Sequence, residues 1–130
     1  MTPRLDLIGL IVENMSRSLA FYRRLGFDLP AELDSEGHVE ASVGGLRIAW
    51  DTVEVIQSFS EYQSPTGGHR VVLAFLFDSP AEVDVKHAEL IKAGYVSQLE
   101  PFDAFWGQRY ASVLDPDDNP VDLFAPLEAA

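Results

Sequence analysis

WGQRYASVLDPDDNPVDLF, residues 106–124, decides how the rest of the chain is read. It reads as a strand over 108–114, a tight turn over 115–119 and a returning strand over 121–124. In the Asp-Pro-Asp-Asp-Asn-Pro turn, proline presets φ, while Asp and Asn tolerate left-handed backbone and bond their own amides. Successive side chains of a strand point to opposite faces. Ala111, Val113, Val121 and Leu123 therefore share one face, and Gln108, Tyr110, Ser112, Asp122 and Phe124 share the other. The first set is small and apolar, suited to lying under a helix. The second mixes aromatic and polar groups and suits a cavity wall better than a sealed core.

Working outward, the same grammar appears upstream. Residues 71–77, VVLAFLF, read as a buried strand. Asp78 or Ser79 caps a helix with Pro80 at its first position and Glu82 in its first turn, and Gly94 closes it. A short strand over 95–99 follows. Near the N-terminus, residues 5–12, LDLIGLIV, form another apolar strand. Asn14 or Ser16 caps a helix to about residue 25, with Met15, Leu19 and Tyr22 on one stripe, and Gly26 closes it. Residues 27–29 are a short extended piece ended by Pro30, and 38–43 with 46–51 form a hairpin over Gly44-Gly45. The order strand, helix, strand, strand, strand thus occurs twice. RRLGF (23–27) aligns with IKAGY (91–95), and GGLRIAWD (44–51) with DDNPVDLF (117–124). The expected fold is α+β: two tandem βαβββ modules forming a curved mixed sheet, helices outside, around a concave ligand cavity. Residues 1–57 are the first module, 58–70 a connector broken at SPTGG (64–68), and 71–130 the second module, together one structural domain.

Composition narrows the function. The chain of 130 residues is 47% hydrophobic and 23% charged, with no stretch long and apolar enough for a membrane span. Its N-terminus lacks the basic-then-apolar layout of a secretory leader, so a cytoplasmic location is expected. With no cysteine, disulfides, thiolate catalysis and Cys-type zinc sites are excluded. A net charge of −12 argues against nucleic acid, whose phosphates require Lys and Arg. No Ser/His/Asp signature or glycine-rich phosphate loop is present.

Over nearly its full length the chain resembles the vicinal-oxygen-chelate superfamily, the glyoxalase and bleomycin-resistance fold. The resemblance is carried by LIGLIVENMSRSLAFYRRLGF (7–27), AGY (93–95) and WGQRYASVLDPDDNPVDLF. More narrowly, RIAWDTVE (47–54), SPTGGHR (64–70) and VDLFAPL (121–127) resemble mitomycin-binding resistance proteins. The superfamily's enzymes hold a divalent metal with His, Gln or Glu from four strands. Carried over, those places fall on Leu7, Ala49, Val72 and Asp122, of which only Asp122 offers a ligand atom. One carboxylate does not hold Zn, Fe or Mn, so no metal, no cofactor and no catalytic residues are expected.

The histidines do not replace the missing ligands. His87 reads as a solvated helix residue, His69 as a backbone-bonding residue beside Gly67-Gly68, and His38 as a hairpin residue bordering the cavity. Aromatic candidates for the lining are Phe59, Tyr62, Phe102, Phe105, Trp106, Tyr110 and Phe124, which otherwise would close the sheet end or bury a dimer interface. Trp50 reads as core, pointing toward the helix. Asp51 then faces the cavity beside Arg47 and either pairs with it or accepts a hydrogen bond from a ligand. Glu40, Gln108 and Ser112 are further polar candidates, and Asp51 with Asp122 an acid/base pair of low rank.

The expected function is binding without chemistry. A homodimer, with sites at its interface as the resemblance implies, would sequester a planar aromatic or quinone antibiotic, mitomycin- or bleomycin-like. Trp106 with Phe59 or Tyr62 would be the plates, and Asp51, Gln108 and Asp122 would orient the ligand. The alternatives are a metal-dependent glyoxalase- or dioxygenase-like enzyme with degenerate ligands, and a dimer whose pocket serves an ordinary metabolite.

Overall fold

Period-two alternation in the C-terminal hairpin sets one face against a helix. In the computed structural model, which describes residues 4–65 and 71–127, Ala111, Val113, Val121 and Leu123 are all fully buried, as are Val83 and Leu90 of the neighbouring helix. The chain is α+β with two mixed sheets, and it divides into two compact units, 1–66 and 67–130.

In the first unit, strand β1 (Leu7–Val12) leads into helix α1 (Met15–Arg23). Asn14 caps α1 by accepting from the amide of Arg17, and Met15, Leu19 and Tyr22 are buried along one stripe. At its other end the amides of Gly26 and Phe27 donate to the carbonyls of Arg23 and Tyr22, with Gly26 at φ 100°. That is the paired closure of a Schellman motif, which needs a left-handed residue where glycine stands. Residues 27–29 join no sheet; after Pro30 a 3-10 helix (Ala31–Ser35) takes the place of the expected strand. Arg23 holds this segment down, donating to the carbonyls of Leu29 and Pro30 and pairing with Asp34 at 2.7 Å. Strands β2 (His38–Val43) and β3 (Leu46–Thr52) form the hairpin over Gly44 and Gly45, both at positive φ. The sheet order is β1-β3-β2, with β1 parallel to β3. A five-residue helix, α2 (Val53–Gln57), is capped by Thr52 and packs so closely on Gly37 that any Cβ there would meet Val55.

The second unit repeats the plan with one strand more. Strand β4 (Leu73–Leu76) precedes helix α3 (Pro80–Lys92), capped by Ser79 and opened by Pro80 as expected. Gly94 closes α3 as Gly26 closes α1: the amides of Gly94 and Tyr95 donate to the carbonyls of Ile91 and Leu90. Strands β5 (Val96–Ala104), β6 (Gln108–Leu114) and β7 (Pro120–Pro126) complete a sheet of order β4-β7-β6-β5. In both sheets the first strand lies parallel to the last, and the last lies antiparallel to the one before it. The turn between β6 and β7 is held by Asp115, whose carboxylate accepts from the amides of Asp117 and Asn119, with Asp118 left-handed at φ 66°.

His87 corrects the sequence reading. It is 4% exposed, sits on the buried stripe with Val83 and Leu90, and meets Ser97 Oγ at 2.8 Å and Glu100 at 3.5 Å, tying α3 to β5. Arg109 makes a second tie, donating twice to Asp84 on α3 and once to Asp103 on β5. His69 lies outside the described residues.

Candidate functional site

Two sheet faces carry the polar and aromatic side chains singled out above, one in each unit. In the first unit, the two-residue turn fixes the β2–β3 register, so that His38 stands opposite Asp51, Glu40 opposite Ala49 and Ser42 opposite Arg47. On the face away from α1 these residues form a closed chain of charge. His38 Nδ1 meets Asp51 Oδ1 at 2.5 Å, and its Nε2 meets Glu40 Oε2 at 2.8 Å. Arg47 donates to Glu40 at 2.5 Å and also to Asp6.

An imidazole set between two carboxylates is favoured as its cation, which donates from both nitrogens. The Asp51 bond, then the Glu40 bond, accordingly raises the His38 pKa above its ordinary value. His38 in turn lowers that of Glu40, with Arg47 acting the same way. Both ring nitrogens of His38 are thus engaged, leaving its flat side for any other contact. The expected alternative of an Arg47–Asp51 pair is overturned. Residues four apart on one strand stand about 13 Å apart, and each finds its partner across the ladder. On the opposite face Trp50 is fully buried against Tyr22 and Phe27, its ring centroid 5.5 Å from each.

In the second unit, the face turned away from α3 gathers six of the predicted residues: Trp106, Gln108, Tyr110, Ser112, Asp122 and Phe124. Tyr110 stands opposite Phe124 and Ser112 opposite Asp122, in the register that the alternation required. The Tyr110 hydroxyl donates to Asp122 Oδ2. Burial, and then Asp122, push the Tyr110 pKa up to about 12. Ser112 Oγ donates to Gln98 at 2.9 Å, and Trp106 Nε1 donates to Gln108 Oε1 at 2.8 Å.

Around that last bond the rings assemble. Trp106 lies 5.2 Å from Tyr110 and 6.2 Å from Phe102, and Phe102 lies 6.0 Å from Tyr110, each pair nearly perpendicular. Trp106 remains 48% exposed, and Phe105, edge-on to it, is 97% exposed. Gly107, at φ 92°, permits the reversal that brings the indole back over β6.

Phe59 and Tyr62 are not gathered into either face. They follow α2 in the first unit, Phe59 72% exposed and Tyr62 half-buried, its carbonyl accepting from Gln57. Phe102, one of the aromatic candidates, and Gln98, which the sequence reading does not single out, complete the second face. The bulges of β5, between Ser97 and Leu99 and again before Phe102, place them there, and simple alternation does not foresee bulges. A groove of about 280 Å³ runs along the outer side of α3, between Phe77, Val85 and Glu89 among others, and takes in none of the predicted residues.

The metal that the resemblance implies does not fit these side chains. Leu7, Ala49 and Val72 carry no ligand atom, and the carboxylate of Asp122 already receives the Tyr110 hydroxyl. Among the described residues no group of three or more His, Asp or Glu is spaced to hold a metal ion.

The fold is shared with proteins of known structure. A glyoxalase-related enzyme from Fulvimarina pelagi superposes with a TM-score of 0.79 at 18% identity, covering 98% of this chain and 94% of its own. A glyoxalase/bleomycin resistance protein/dioxygenase family enzyme from Burkholderia phytofirmans gives 0.77 at 24%, covering 96% of this chain and 100% of its own. A glyoxalase/bleomycin resistance protein/dioxygenase from Nocardioides gives 0.76 at 22%, covering 100% and 87%. No curated protein matches the chain. The family pattern of the glyoxalase/bleomycin resistance protein/dioxygenase superfamily, however, matches residues 4–123, and the chain belongs to that superfamily.

Proposed function

We propose that the protein is a metal-free binding protein that captures a planar aromatic or quinone compound, such as a mitomycin- or bleomycin-like antibiotic, and thereby confers resistance by sequestration. The observation that carries this reading is the second unit's open face, where a half-exposed indole, a phenol and a phenyl ring stand over hydrogen-bonded polar groups. A flat ligand laid on Trp106 gains roughly 0.5–1.5 kcal/mol from ring geometry beyond the apolar area it buries. Asp122 and Gln108 supply the few directed contacts that orient a ligand in a largely apolar site, while Ser112, buried beneath them, is bonded to Gln98.

Homodimerisation, with each site lined by both subunits, belongs to the same proposal, as does a cytoplasmic location. Burial of the drug, rather than any reaction, would deny it its reductant or target.

The experiment is a titration of intrinsic tryptophan fluorescence with a small panel of aromatic antibiotics. Saturable quenching by one of them, lost in Trp106→Ala with the circular dichroism unchanged, is the expected result. Metal bound at one equivalent per chain and abolished by Asp122→Ala would favour the enzymatic reading instead.

A further inference from the structure

We infer that the flat ligand is a ring carbonyl compound and that Gln108 is the residue that selects it, receiving the carbonyl oxygen on its amide nitrogen. The inference rests on the sequestration reading and deepens it by naming the ligand's chemistry. A carboxamide offers two opposite functions, an accepting oxygen and a donating nitrogen, and its two orientations are nearly isosteric. Here the orientation is set by a neighbour with no such ambiguity. An indole N–H can only donate, and Trp106 Nε1 lies 2.8 Å from the Gln108 side-chain oxygen. The oxygen is therefore turned toward Trp106, and the Nε2 hydrogens are presented away from it. Gln108 is half-buried at the start of β6, on the same face as Tyr110 and beside the exposed indole.

The other polar groups of this face are arranged differently. The Tyr110 hydroxyl donates its hydrogen to Asp122, and Ser112 donates to Gln98. Tyr110 stands two residues along the strand from Gln108, about 7 Å away. The face next to the indole thus offers a donor at one end and a phenol–carboxylate pair with spare acceptor capacity at the other, about one ring's width apart. A flat ring with an oxygen acceptor on its edge, as in a quinone or ring ketone, satisfies the donor. A bare hydrocarbon ring leaves it without a partner when the face is covered, which is the more expensive outcome. A flat cation meets amide hydrogens of the same sign at the Gln108 end.

The test compares three probes on the wild-type protein and on Gln108→Glu. They are menadione, its carbonyl-free analogue 2-methylnaphthalene, and the flat cation N-methylquinolinium, followed by calorimetry or fluorescence. The glutamate variant keeps an oxygen for the Trp106 N–H and keeps the volume, but it cannot donate. Wild type should bind menadione more tightly than 2-methylnaphthalene by about three- to tenfold, the worth of one neutral hydrogen bond. In Gln108→Glu that preference should vanish, with 2-methylnaphthalene unchanged and N-methylquinolinium strengthened. Equal binding of menadione and its hydrocarbon by wild type, an unaltered preference in Gln108→Glu, or a wild-type preference for the cation overturns the carbonyl assignment while leaving a flat-ligand site standing. Binding of none of the three overturns the sequestration reading itself, and the assignment with it. Should Gln108→Glu misfold, Trp106→Phe, which keeps a ring and releases the amide, is expected to lose the preference instead.

Discussion

The two units present two sheet faces built on one plan and finished in opposite ways. Each has a helix ended by the same glycine closure, at Gly26 and Gly94, and a sheet whose first strand runs parallel to its last. On the helix side both are filled mainly by apolar side chains, with Ser18 buried in the first and His87 in the second. On the open side the first unit closes its polar groups on one another, in a chain from Asp51 through His38 and Glu40 to Arg47 and Asp6. The second instead leaves rings uncovered and points an amide outward. The two tryptophans state the contrast most simply. Trp50 is fully buried with no partner for its indole N–H among the described residues, whereas Trp106 is half-exposed with its N–H bonded. The helix-facing surface of a sheet is dictated by packing, so a duplicated unit keeps it. The other surface is where two copies can diverge toward charge or toward rings.

The largest expected effect separates the tryptophans. Trp50→Ala should destabilise the protein by about 3–5 kcal/mol in denaturant unfolding, as truncation of a large buried ring does. Trp106→Ala should cost less than about 1 kcal/mol, because much of its ring is already in water, yet abolish ligand quenching. Equal losses of stability would erase the distinction between a structural and a presented indole.

The second contrast is in pH. His38 has a raised pKa because its cation is bonded to Asp51 and Glu40. Its contribution to stability is therefore fully present below the unfolded value of 6.5 and is lost as pH rises through the higher folded value. Glu40 acts at the other end: its lowered pKa gives stability that is lost as pH falls below about 4.5 through the folded value. Proton NMR of His38 should show a pKa above 6.5 that falls back in Asp51→Asn. In the second unit's face, burial and then Asp122 push the Tyr110 pKa up instead, to about 12. Ultraviolet titration should find a late-ionising tyrosine that is missing in Tyr110→Phe.

The smallest effect tests the sameness of the two units. Gly26→Ala and Gly94→Ala each place a Cβ in left-handed backbone with nothing within 4 Å to clash with it, so only conformational strain is added. Each should cost about 1–2 kcal/mol, and the two should agree. A much larger cost at one would show that the closures are not equivalent.

Residues whose position follows from local rules were legible in the sequence. The alternation of 108–114 against 121–124 (120–126 in the structure), the caps Asn14 and Ser79 and the closing glycines all follow from backbone chemistry within a few residues. The His38–Asp51 pair is within reach of the sequence too, since the Gly44-Gly45 turn fixes which residues face each other, but reading Asp51 against Arg47 on its own strand passes over it. His87 was misjudged because Asp84, Lys86 and Glu89 surround it in sequence. The spacing Val83, His87, Leu90 nonetheless marks one helical face. The 3-10 helix at 31–35 and the five-residue α2 are too short to show a period. Their positions follow from tertiary contacts, Arg23 on Leu29 and Gly37 under Val55.

The most direct test of the central claim is a calorimetric titration of menadione into the protein with and without an excess of EDTA. A protein without cysteine cannot consume the quinone by thiol addition, so the heat reports binding. Saturable binding, unaltered by the chelator and absent in Trp106→Ala, is what a face of rings without a metal predicts. Binding that disappears with EDTA and returns with a divalent ion would contradict it.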